Sequence, residues 1–91
     1  MKFVADAMLG RLARWMRFLG YDVIYLKNVE DSYVVRVARS QDRILLTRDR
    51  GIPLHFKVNC LLIHSEDIYE QLKQLLKEFP PSNNKIRRCM D

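Results

Sequence analysis

Short apolar runs in this chain take turns with segments of helical period, and that alternation is its strongest constraint on fold. Lys2-Phe3-Val4-Ala5-Asp6 is an apolar run closing on an acid, and reads as a strand buried on both faces. From Met8 to Leu19 the period changes. Met8, Leu9, Leu12, Ala13, Trp15, Met16 and Leu19 share one broad helical face, and Gly20 is a C-terminal stop. Asp22 to Leu26 is rich in β-branched and aromatic residues, a second strand. Ser32 to Ser40 has high β propensity, yet Tyr33, Val34, Val37 and Ala38 mark one helical face behind Asp31 as N-cap, so a helix is expected.

Arg43 to Thr47 is a third strand and Arg48 to Gly51 a turn. Ile52 to Val58 reads as short and irregular, with Pro53 near its start. Asn59 to His64 is a fourth strand. Ile68, Leu72, Leu75, Leu76 and Phe79 then space out a helix, capped at Ser65 or Asp67 and stopped by Pro80-Pro81. The alternation implies an α/β fold in three layers: a parallel four-stranded sheet with helices on both faces and right-handed crossovers. Residues 1–81 are expected to form the domain and residues 82–91, poor in apolar side chains, a loose tail.

The chain has 91 residues, enough for one modest core. No apolar run could span a bilayer, and the N-terminus lacks the features of a signal peptide, so a cytoplasmic location is expected. Sixteen basic residues against eleven acidic ones leave a net charge of +5, a surface that attracts polyanions. Cys60 and Cys89 are far apart and neither has a second ligand at metal spacing. Cys60, in the apolar run Cys60-Leu61-Leu62-Ile63, is expected to be a buried core thiol.

In parallel sheets ligands bind beyond the carboxyl ends of the strands, where the strand order reverses. Acids collect there in this sequence. Asp6 ends the first strand, and Asp49 follows the third by two residues. Asp31 opens the second helix, and Glu66 and Asp67 follow the fourth strand. Carboxylates crowded together raise one another's pKa, and a hard divalent cation such as Mg²⁺ or Mn²⁺ relieves that strain. Asp31 and Asp67 also have a plainer reading as N-caps, and Asp49 as a turn residue. Asp6 is the hardest to explain so, because an acid after a buried strand must be solvated or paired.

Asp6-Ala7-Met8-Leu9-Gly10-Arg11-Leu12-Ala13-Arg14-Trp15, Leu19-Gly20-Tyr21-Asp22 and Ile44-Leu45-Leu46-Thr47-Arg48-Asp49-Arg50-Gly51 closely resemble the Mut-seven C-terminal RNase domain family, which has the PIN-like fold. The segment from Asp31 to Ala38 resembles that family's acidic helix start, although the family is more Glu- and Leu-rich there. The likeness covers about residues 2 to 79. It implies Mg²⁺- or Mn²⁺-dependent endoribonucleolytic cleavage, with Asp6, Asp31 and Asp49 as catalytic acids; the expected metal ligands are these three and Asp67. Many relatives continue into a zinc ribbon that starts at a Cys-x-x-Cys pair. Here Arg88-Cys89-Met90-Asp91 offers one cysteine, so no zinc is expected.

RNA is the expected partner. Arg11, Arg14 and Arg17 lie opposite the apolar face of the first helix with Phe18 among them, and Arg48 and Arg50 flank Asp49. Arginines grip phosphates and an exposed aromatic can stack a base; the plainer reading is a solvated face with Phe18 under a loop. His55 and His64 lack an orienting partner and read as structural. A phosphoacceptor receiver ranks lower, since only Asp6 follows the first strand and no lysine closely follows Ile63. A non-catalytic RNA- or protein-binding PIN-like module is the alternative, and a homodimer stays open.

Overall fold

A computed structural model describes residues 1–80. Its elements are β1 (Lys2–Ala5), a 3₁₀ turn (Ala7–Leu9), α1 (Gly10–Phe18), β2 (Asp22–Tyr25), α2 (Asp31–Ser40), β3 (Ile44–Thr47), α3 (Gly51–His55), β4 (Cys60–Leu62) and α4 (Ile68–Glu78). All four strands are parallel, in the order β2-β1-β3-β4. The tail and Cys89, on which the expected absence of zinc rests, lie outside the described residues.

Strand pleating divides the side chains between two cores. Phe3, Ala5, Val23 and Leu46 point to the side covered by α1 and α4, where Leu9, Leu12, Ala13, Met16 and Leu75 pack on them. Val4 and Leu45 point to the other side, against Val34, Val35 and Ala38 of α2 and Ile52 of α3. Helices on both faces of one parallel sheet make the three-layer arrangement, consistent with a PIN-like fold.

Several expectations need correction. Residues 52–58 are not all irregular, because 51–55 form α3. Pro53 sits in its first turn, where the backbone N–H it lacks would have had no partner anyway. The apolar face of α1 is narrower than the sequence suggested. Met8, in the 3₁₀ turn before α1, is 61% exposed, Trp15 44% and Leu19, the C-cap, 39%, because one sheet face and one flanking helix cover only a single stripe. Tyr33 is likewise exposed, whereas Val35 is buried in its place. Cys60 is partly buried at the margin of the α2 and α3 core. Among the described residues no helix is long and apolar enough to cross a membrane.

Candidate active site

The chain runs from β1 out to β2, then back across to β3, so the strand order reverses between β1 and β3. These neighbours pair in the register Phe3↔Ile44, Val4↔Leu45, Ala5↔Leu46. Asp6 continues the ladder by donating its backbone N–H to the Leu46 carbonyl at 3.2 Å. Its side chain therefore emerges beside Thr47. By the alternation of the pleat, both belong to the face that α2 covers.

Thr47 is fully buried and joins the two strand ends. Its hydroxyl donates to Asp6 Oδ2 at 2.5 Å and accepts the backbone N–H of Asp49 at 3.0 Å. Asp6 Oδ1 accepts the N–H of Met8 at 3.1 Å, which caps the 3₁₀ turn. Asp6 is 8% exposed, so its charge is held by these donors rather than by bulk water. Asp49 Oδ1 accepts the Gly51 N–H at 2.8 Å. A Cβ on Gly51 would stand 3.2 Å from that oxygen, so glycine permits the close approach.

Asp31 is in the first turn of α2 rather than at its N-cap, which is Glu30. It is not spent on capping, and its carboxyl lies near enough to Asp49 and Asp6 to feel both charges. Its pKa is raised, first by loss of hydration, then by the charges of Asp49 and Asp6 and by the hydrogen bond with Asp49. Asp6 ends β1 and Asp49 follows β3, and the charges of both are felt at Asp31. Their oxygens are hard donors of the kind Mg²⁺ and Mn²⁺ prefer. As the side chains stand, no group of three or more Asp, Glu, His or Cys residues among the described residues is arranged to hold a metal ion. Both oxygens of Asp6 already face protein donors.

The remaining acids behave differently. Asp67 Oδ2 caps α4 by accepting the Glu70 N–H at 3.2 Å, the plainer of its two readings. Glu66 lies 4.0 Å from Arg48 Nη1. The Arg48 side chain is 22% exposed, and its Nε–H is buried without a partner. Arg50 is exposed at the N-cap of α3. On α1, Arg11, Arg14 and Arg17 are all exposed, but Arg17 Nε donates to the Val23 carbonyl at 3.2 Å. Phe18 lies under no loop: it is 81% exposed.

Two participants escaped sequence reasoning. Thr47 had a usable signal, since a hydroxyl ending the apolar run Ile44-Leu45-Leu46 must find partners once buried. Tyr25 had none. Its hydroxyl donates to the Ala7 carbonyl at 2.9 Å, and its ring lies 3.1 Å from where a Cβ on Gly10 would be, so it holds the turn that follows Asp6.

A parallel α/β sheet with helices on both faces and acids at its switch point defines the class, a domain of PIN-like architecture with an acidic edge. The chain belongs to the Mut7-C RNAse domain family, whose model matches residues 1–91, its whole length. Membership points to an RNase-type function, with RNA as substrate. No curated protein and no solved structure matches significantly.

Proposed function

We propose that the protein is a metal-dependent endoribonuclease that hydrolyses RNA phosphodiesters at the β1/β3 edge. The observation that carries this reading is that Thr47 ties Asp6 to the backbone of Asp49 at the switch point of a family RNase fold, with Asp31 near enough to feel both charges. In it these three acids are the ligands of Mg²⁺ or Mn²⁺. Asp67 is left to its cap. Such a cation, when bound, supplies an activated water and offsets charge on the reacting phosphate.

The chain's own groups do the rest. Thr47 fixes the Asp6 carboxylate and the Asp49 backbone with one hydroxyl, so two acids from different strands keep a common orientation. Asp31, its pKa raised by lost hydration and by the charges of Asp49 and Asp6, favours a proton or a cation beside it. In this reading the guanidinium of Arg48, one residue before Asp49 and partly exposed, takes a phosphate oxygen through its Nη groups.

Mixed RNAs incubated with Mg²⁺, Mn²⁺ or EDTA test the reading. Cleavage should require the metal. Asp6→Asn and Asp49→Asn should each lower it by at least about a hundredfold, since each removes a charged ligand. Undiminished cleavage by either variant, or cleavage that persists in EDTA, overturns it. Binding without cleavage under every metal condition would favour the non-catalytic module.

A further inference from the structure

The outward side of α1 carries residues that neither packing nor the acidic edge uses. Arg11, Arg14, Trp15 and Phe18 follow the spacing i, i+3, i+4, i+7 and form one stripe opposite the buried Leu12, Ala13 and Met16. Phe18 is 81% exposed and Trp15 44%. Their rings meet edge to face, with centroids 6.0 Å apart and planes at 85°, which restrains both while leaving π surface open to solvent. No acid occurs between Ala7 and Tyr21. Among the described residues, neither Arg11 nor Arg14 pairs with a carboxylate.

We infer that this stripe is a stacking platform for single-stranded RNA, with unpaired bases on Phe18 and Trp15 and flanking phosphates on Arg11 and Arg14. Charge complementarity selects the occupant. A purely apolar partner would leave two arginines without counter-charges, whereas a single strand offers phosphates and π faces at alternating positions. A duplex supplies the phosphates but keeps its bases stacked inside. The stripe begins five residues after Asp6 on the helix that leaves the acidic edge, and runs about 10 Å from Arg11 to Phe18 at 1.5 Å per residue. The inference rests on the RNase reading for the identity of the polymer and supplies its substrate class: unpaired RNA, taken without regard to sequence.

Trp15 is the only tryptophan, so its fluorescence reports on the platform directly. The test is a titration in EDTA, where nothing depends on cleavage, with a uridine oligomer of about ten nucleotides and with a blunt RNA duplex at equal phosphate concentration. The oligomer should quench Trp15 and the duplex should not. Phe18→Ala and Phe18→Leu should each weaken oligomer binding by about fivefold or more, while Phe18→Tyr, which keeps the ring, should stay within about twofold. Because the titration is run in EDTA and reads binding alone, failure of the nuclease reading leaves this result legible. Equal quenching by the duplex, or unchanged affinity in Phe18→Ala, overturns the inference. So does a parent that sediments as a dimer and is made monomeric by Phe18→Ala, which would assign the stripe to self-association.

Discussion

Thr47 is the residue on which the acidic edge turns. One buried hydroxyl satisfies a carboxylate of β1 and a backbone N–H beyond β3. Thr47→Val keeps the shape and removes both bonds. It should cost about 1–3 kcal/mol, because a buried charge loses a donor. Denaturant unfolding of the two proteins checks this, and equal midpoints would show that the hydroxyl adds nothing. Asp31 adds a pH dependence. Its carboxyl is more basic folded than unfolded, so the folded state binds the proton more tightly. Stability therefore falls as pH rises from the unfolded value, about 3.9, through the raised folded value, and the penalty is fully present above it. Asp31→Asn should make the metal-free protein more stable at neutral pH, and the gain should vanish towards pH 3. Thermal melts across that range decide it. A variant less stable than the parent at pH 7 would mean that the carboxyl is not crowded. Mg²⁺ or Mn²⁺ should raise the parent's melting temperature more than the variant's.

The ends of the helices decide where these residues stand. α1 closes in a Schellman motif: Tyr21 N–H donates to the Met16 carbonyl at 2.9 Å and Gly20 N–H to the Arg17 carbonyl at 3.1 Å. Gly20 has φ +97°, a conformation that L side chains resist. Gly20→Ala should destabilise the protein by about 1–2 kcal/mol although nothing lies within 4 Å of the added methyl. A melting temperature equal to the parent's would contradict the motif. At the other end of the sheet Arg43 Nη1 donates to the Phe3 carbonyl and to Asp22, each at 3.0 Å, so Asp22 is balanced far from the acidic edge. Tyr21 donates to the Phe79 carbonyl at 2.6 Å and ties the end of α1 to the end of α4.

Across the whole molecule, a net charge of +5 surrounds a local concentration of acids. RNA binding should therefore weaken with salt. Arg14→Ala should flatten the logarithmic salt dependence by about 0.7, the value for one phosphate contact to a single strand. Arg17→Ala should also lower stability, since Arg17 holds the Val23 carbonyl. A slope unchanged by Arg14→Ala would return that arginine to a solvated surface. Filter binding at several salt concentrations measures it.

The sequence alone determined the order of elements apart from α3, the parallel sheet and the position of Asp6 and Asp49 after its strands. Short continuous apolar runs and stripes of period 3.6 are local patterns, and a parallel sheet forces helical crossovers. Tertiary structure decided which of those patterns was buried. The seven apolar positions from Met8 to Leu19 were too broad a face for one sheet surface and one neighbouring helix. Leu9, Leu12, Ala13 and Met16 went inside, and Trp15 was left outside with Phe18. Tertiary structure also decided that β1 and β3 lie side by side. That adjacency, which no local pattern encodes, brings Asp6 to Thr47 and both to Asp49. Asp31 feels their charges, and because α2 starts one residue before the expected position its carboxyl does not cap its own helix. Asp67 did become a cap, because the turn after β4 presents it to the Glu70 N–H. The same residue type at similar helix starts took opposite roles, and packing chose between them.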